Sequence, residues 1–92
     1  MKVLSTWSVR PAALNEATSR FLAGEAAPLE GVTLLGRWHK VDGSGGYSLY
    51  ETDNPSALYA NAVKWVDVLE IHTSIVVEDG EAGPVLAKTF AK

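Results

Sequence analysis

The stretch that decides the fold is VTLLGRWHKVDGSGGYSLYET, residues 32–52. Over residues 32–40 the even positions are more apolar than the odd positions, which is the period of two that a half-buried strand shows. Residues 42–46 contain three glycines, and glycine readily takes the positive φ values that hairpin turns require. Residues 47–52 then return as another strand. The stretch therefore predicts an antiparallel hairpin.

The segments on either side of this hairpin predict two helices and two further strands. Residues 2–9 are rich in strand-forming side chains, and a helix is expected from Pro11 to a stop at Gly24. Asn54 followed by Pro55 is typical of a second helix start, because a polar cap precedes proline at the first helical position. Residues 69–77 again alternate as a strand.

The predicted order is strand, helix, strand, strand, helix, strand. This is the order of a ferredoxin-like α+β fold, βαββαβ, in which one four-stranded antiparallel sheet carries two helices on one face. We assign residues 1–79 to this domain and residues 80–92 to a C-terminal extension in which a short helix is expected. The other face of the sheet is bare in a monomer, and pairing two such faces in a homodimer would produce a dimeric α/β barrel.

Composition limits the classes of function. The chain has 92 residues, a formal charge of −3 and no cysteine, so it is one small domain without disulfides or thiolate metal sites. It has no basic patch of the kind that nucleic-acid binding needs. No apolar run is long enough for a signal peptide or a membrane span, so we expect a cytoplasmic protein that binds no membrane.

Several short segments together resemble a known family. They are Val3–Ser8, Arg20–Leu22, Glu30–Val32, Leu35–His39, Gly45–Tyr47 and Glu51–Asp53. They resemble a family of short bacterial proteins of unknown function that is similar to the dimeric α/β-barrel proteins, whose relatives include antibiotic-biosynthesis monooxygenases and muconolactone isomerases. The resemblance implies the fold and a homodimer formed face to face. It implies no established activity, so no catalytic residue is carried over.

A polar cluster is the first candidate site. With a turn centred near residues 42–43, Arg37 pairs with Ser48 and Leu35 pairs with Tyr50. The cluster of Arg37, His39, Ser48 and Tyr50 is then expected on the bare sheet face. As a catalytic site, His39 would be the acid or base, and Arg37 and Tyr50 would stabilise negative charge. The alternative is a hydrogen-bonded dimer interface, in which Arg and Tyr are enriched.

Other residues are candidates for the wall of a ligand pocket. The set comprises Trp7, Trp38, Trp65, Glu51 and His72. The three tryptophans suit either the core or an apolar pocket. Glu51 is expected under the helices, where burial could make it a base, and His72 shares its strand face with Glu70. No dense ligand motif predicts a metal site, and no motif predicts a cofactor.

Two functions remain open, and the sequence does not decide whether the chain is an enzyme. The first is a homodimer that binds, or acts without a cofactor on, a small apolar or aromatic molecule. The second is a non-enzymatic accessory, stress-response or sensor dimer, in which Arg37 and Tyr50 belong to the interface.

Overall fold

Four strands and three helices make up the computed structural model, which describes residues 1–91. In chain order they are β1 (Lys2–Val9), α1 (Leu14–Leu22), β2 (Thr33–His39), β3 (Gly45–Glu51), α2 (Pro55–Val63), β4 (Leu69–Val76) and α3 (Asp79–Phe90). The strands form one antiparallel sheet in the order β2-β3-β1-β4. The predicted ferredoxin-like α+β fold is therefore confirmed.

The start of each central helix is set by local chemistry. Asn54 caps α2, because its side-chain oxygen accepts a hydrogen bond from the backbone N–H of Ala57 at 3.2 Å, and Pro55 takes the first position. By contrast, α1 begins at Leu14 and not at Pro11. Ala12 has a φ of 64°, in the left-handed region, so the right-handed helix cannot run through it.

A bulge in β2 changes the side of the sheet on which its later residues lie. Leu34 pairs with Tyr50, but the next paired residue is Gly36, opposite Leu49. The predicted pairing of Leu35 with Tyr50 is therefore wrong, whereas Arg37 does pair with Ser48. Because the bulge inserts one residue, the alternation of side chains is inverted beyond it.

The consequence is that the polar cluster lies on the side of the sheet that carries the helices, where Arg37 is half-buried and His39 remains exposed. Arg37 and His39 both contact Phe21 of α1, so they share with Leu34 the face that α1 and α2 cover, which we call the inner face. The expectation that Arg37, His39, Ser48 and Tyr50 lie on the bare face is wrong. Trp38 and Tyr47, which pair with each other, lie on the opposite side, the outer face.

The apolar core consists of two clusters on the inner side of the sheet. One contains Val3, Val32 and Tyr50, with Leu34, Ala57 and Leu58 packed against them. The other contains Ala17, Trp65 and Val68, with Ala13, Ala26, Leu69 and Ile71 packed against them. Members of both clusters line one cavity, which separates the two parts of the core.

The C-terminal extension contains α3. Its apolar residues Val85, Leu86 and Phe90 are exposed, and the chain just before it is tied to β1 by an ion pair between Glu78 and Lys2. Lys92, the last residue of the predicted extension, lies outside the described residues. The division of the chain at residue 79 stays a prediction. Within residues 1–91, no helix has the length and apolar character needed to cross a membrane.

Candidate functional site

The candidate site is a cavity of about 570 Å³ between the inner face of the sheet and the helices α1 and α2. Its floor comes from all four strands, and its roof includes Leu14, Phe21 and Leu58. Pockets that hold small molecules are commonly 300–1,000 Å³ and mostly apolar, with a few polar groups in fixed places. The size and the walls of this cavity match that description.

Strand pairing orders the inner face of the sheet into three rows that cross it, and members of each row line the cavity. The apolar row is Leu34, Tyr50, Val3 and Ile75. The middle row is polar and consists of Arg37, Ser48, Ser5 and Thr73. The third row, which contains two aromatic rings, is His39, Gly46, Trp7 and Ile71. The guanidinium and hydroxyl groups therefore lie in the middle row, between a row that contains the Tyr50 phenol and a row that contains the His39 imidazole.

Arg37 is the half-buried cation of this floor. Its Nη2 donates a hydrogen bond to the backbone carbonyl of Ala26 at 2.8 Å, and its guanidinium carbon lies 5.8 Å from the centre of the Phe21 ring. These two contacts fix the guanidinium near the C-terminal end of α1. Among the described residues, no carboxylate lies within 4.0 Å of Arg37, the distance that defines an ion pair.

His39 is held by aromatic rings and not by hydrogen bonds. Its ring centroid lies 5.2 Å from that of Trp7 and 5.3 Å from that of Phe21, both in edge-to-face geometry. No described residue forms a side-chain hydrogen bond with its imidazole nitrogens. The imidazole is thus positioned by packing, and both nitrogens remain available to a ligand.

Three further polar side chains, those of Ser5, Thr73 and Tyr50, lie on the inner face. The hydroxyls of Ser5 and Thr73 are 2.9 Å apart and hydrogen-bonded to each other across β1 and β4. Tyr50 is only 7% exposed and lines the cavity at the end of β3. Its row lies next to that of Arg37, two residues along the strands from Ser48.

The predicted pocket and catalytic residues divide between the two faces. The structure brings five of them to the cavity: Trp7, Arg37, His39, Tyr50 and Trp65. The remaining three, Trp38, Glu51 and His72, do not line it.

Each of those three residues has a definite place elsewhere. Trp38 is 55% exposed, and its ring covers Gly36 on the outer face. Glu51 does not point under the helices as predicted, because it is exposed and accepts a hydrogen bond from the Met1 amine at 3.0 Å. His72 is exposed with its Nε2 3.3 Å from the Glu70 carboxylate.

Sequence reasoning missed two residues of the site. Phe21 was expected only as part of the apolar face of α1, yet it contacts both Arg37 and His39. Thr73 was expected only as a strand residue, yet it bonds to Ser5 in the floor. No local pattern could have identified either one, because their partners are 16 or more positions distant in the sequence.

An ion pair supports the helical side of the cavity. Arg20 of α1 binds both carboxylate oxygens of Asp67, with the shorter distance, 2.6 Å, between Nη2 and Oδ2. Arg20 also bonds to Glu16, one turn earlier in α1, at 3.0 Å. The hydrogen bonds from Arg20 hold the pKa of the Asp67 carboxyl below its usual value of 3.8. This clamp ties α1 to the connection between α2 and β4, next to Trp65 and Val68.

The described residues provide no cluster of three or more His, Cys, Asp or Glu side chains that could hold a metal ion. The chemistry available in the cavity is that of a guanidinium, an imidazole, a phenol and hydroxyl groups among aromatic walls.

Comparison with known proteins gives a family but no activity. The sequence profile of the family described as "Domain of unknown function (DUF3303)" matches residues 1–90, which confirms the predicted resemblance to a family of unknown function. None of the curated proteins compared matches the chain. One similar solved structure is that of a candidate antibiotic biosynthesis monooxygenase from Deinococcus radiodurans, which is 16% identical to this chain and superimposes with a TM-score of 0.44. The match covers 85% of this chain and 94% of the monooxygenase chain. A likeness at this level carries no argument about function.

Proposed function

We propose that this chain, which belongs to the DUF3303 family of domains of unknown function, uses the cavity under its helices to bind a small apolar or aromatic molecule. The observation that carries the proposal is the cavity itself, about 570 Å³ in size and lined by Trp7, Phe21 and Trp65. This cavity is partly open, so its apolar lining is left in contact with water and without packing contacts to other protein atoms, which costs free energy. A bound apolar molecule restores those contacts.

The chemistry that these residues support is proton transfer without a cofactor. His39 serves as the acid or base, because imidazole is the side chain that most readily exchanges protons near neutral pH. Arg37 lies two residues away on the same strand face, roughly 6.5 Å along β2. Arg37 and Tyr50 supply N–H and O–H donors to negative charge that develops on the substrate.

A neutral aromatic probe tests this chemistry. In 5-nitrobenzisoxazole, a base removes the C3 proton, the C–H electron pair forms the nitrile and the N–O bond breaks to give a phenolate. The probe reports a general base beside an apolar pocket by the absorbance of the phenolate. We expect the protein to accelerate this elimination and His39→Ala to reduce the acceleration by about 100-fold or more.

His72→Ala is the matched control, because it makes the same change in the other histidine, which lies on the outer face and does not line the cavity. We expect it to retain the rate of the unmodified protein. Equal rates in both variants contradict the role of His39. Elimination no faster than in buffer contradicts acid–base chemistry altogether.

A non-enzymatic sensor or accessory role is the second candidate, and one observation favours it. A catalytic base is usually oriented by a hydrogen bond from a third group, and His39 has no such bond to a described residue. In this case the cavity binds its ligand and releases it unchanged. Ligand binding without elimination of the probe would support this second function.

Homodimerisation through the outer face belongs to both candidates. Trp38 and Tyr47 are paired there and are 55% and 41% exposed, and Leu4 pairs with Leu49 on the neighbouring strands. An exposed apolar surface of this kind on a small domain favours association, because pairing two such faces removes it from water.

A further inference from the structure

The charge of the cavity differs from that of the chain as a whole. The protein has 11 acidic and 8 basic residues and a formal charge of −3. Nevertheless, none of the described residues that line the cavity is Asp or Glu, whereas Arg37, His39 and Lys40 all line it. The Lys40 ammonium lies 5.7 Å from the centre of the Tyr47 ring, on the side of the outer face. Arg37 therefore supplies the fixed positive charge of the cavity.

The guanidinium of Arg37 is incompletely paired. It offers five N–H donors, of which one bonds to the Ala26 carbonyl, and no carboxylate of the described residues lies within 4.0 Å. A partly desolvated cation beside apolar walls attracts an anion more strongly than a fully solvated one does, because the local dielectric is lower. The free N–H groups form a planar fork that suits a carboxylate, which can accept two parallel hydrogen bonds.

The position of Arg37 determines which end of a ligand it meets. Arg37 lies on β2, at one edge of the sheet, whereas Leu69 and Ile71 lie on β4 at the other edge. Trp65 and Leu58 extend the apolar wall from the helical side. A molecule that fills the cavity would therefore have a charged end at β2 and an apolar body that reaches toward β4.

We infer that the ligand is an organic anion, an apolar or aromatic carboxylate whose carboxylate group is bound by Arg37. The inference rests on the proposed function, since it specifies the ligand class of the same cavity. It adds that the ligand already carries its negative charge before any reaction.

Two aromatic probes that have nearly the same shape but differ in charge test whether the negative charge of a ligand contributes to binding. 1-Naphthoate is an anion at neutral pH, and 1-naphthamide is its neutral counterpart. Both are titrated into ¹⁵N-labelled protein, and the three tryptophan indole N–H signals are followed by NMR. Trp7 and Trp65 line the cavity and Trp38 does not, so the first two signals should shift and the third should not. We expect naphthoate to bind about tenfold or more tightly than naphthamide.

Variants assign that preference to Arg37. Arg37→Gln should bind the two probes equally well, whereas Lys88→Gln, which removes one positive charge from the exposed helix α3, should retain the preference. If Arg37→Gln does not fold, Arg37→Lys keeps the charge but loses the planar fork. It should weaken naphthoate binding and leave naphthamide binding unchanged, and unaltered naphthoate binding would overturn the assignment.

The possible failures are distinguishable. Equal affinity for both probes, with shifts at Trp7 and Trp65, overturns the anionic ligand and leaves the pocket intact. A preference for naphthoate that survives Arg37→Gln overturns the role of Arg37. If neither probe shifts Trp7 or Trp65, the proposed binding function fails together with this inference.

Discussion

Trp7 and His39 meet edge to face across an intervening strand, with their ring centroids 5.2 Å apart. The residue between them on β3 is Gly46, which pairs with Trp7 on one side and with His39 on the other. A Cβ atom at Gly46 would lie 2.5 Å from Cζ2 of Trp7 and 2.2 Å from the carbonyl oxygen of Trp38. The absence of a side chain at Gly46 is therefore what allows the indole to cross β3 and position the imidazole.

Gly46→Ala should destabilise the fold and displace His39. The added methyl group overlaps both a backbone oxygen and an indole ring, and the backbone of a central strand cannot move away freely. We expect a loss of about 1–3 kcal/mol in the free energy of unfolding, measured by denaturant titration. Gly80→Ala is the control, because nothing lies within 4 Å of a Cβ built there. Equal stability of the two variants would show that the crossing of Trp7 over Gly46 is not required.

Asn54→Ala should weaken the start of α2. The variant loses the side-chain oxygen that accepts from the N–H of Ala57, so one donor at the helix N-terminus loses its partner. The expected cost is about 1 kcal/mol in the free energy of unfolding. Ser56→Ala, one residue inside the helix, makes a comparable change at an exposed position and should cost less. A larger loss from Ser56→Ala would argue against capping by Asn54.

Asp67→Asn should lower stability at neutral pH and have little effect in acid. The bond from Arg20 lowers the pKa of Asp67 in the folded protein below its usual value of 3.8. A carboxyl with a depressed folded pKa stabilises the fold above its unfolded pKa, and this contribution is lost as the pH falls through the folded value. Chemical denaturation should show that the free energies of unfolding of the protein and its variant differ less near pH 3 than at pH 7.

Glu25→Gln is the charge-matched control for that experiment, since the Glu25 side chain is exposed and forms no ion pair with a described residue. Its stability difference should change little with pH. If Asp67→Asn lowers the free energy of unfolding by the same amount at both pH values, the charge of the Arg20–Asp67 ion pair does not contribute to stability.

Trp38→Glu should convert the proposed homodimer to a monomer. The change places a charge in the middle of the proposed outer-face interface, where pairing two copies would bring two such charges together without partners. Sedimentation or light scattering should report the mass of one chain at micromolar concentration. Val41→Glu introduces the same charge at a fully exposed position in the hairpin turn and should leave the mass unchanged. A monomer in the unmodified protein would rule out the interface itself.

The sequence alone predicted the elements, because the signals for them are local. Each signal depends on neighbours within a few positions: the strand-forming composition of residues 2–9, the alternation over residues 69–77 and the Asn54-Pro55 start of α2. The order of these elements then left few ways to arrange one sheet and two helices, which is why the ferredoxin-like topology followed. The pairing of Arg37 with Ser48 also followed, since the hairpin turn fixes the register nearby.

Only the tertiary structure decided which side of the sheet carries the polar cluster. Leu34 and Leu35 are both leucine, so the sequence offers no sign of the bulge that removes Leu35 from the ladder. That single extra residue turns Arg37 and His39 inward and Trp38 outward, because side chains alternate with a period of two. The cavity likewise depends on tertiary structure, because its lining comes from α1, α2 and all four strands, which are distant in sequence. Local sequence pattern thus determined which helices and strands form, and long-range packing determined which side of the sheet each side chain faces.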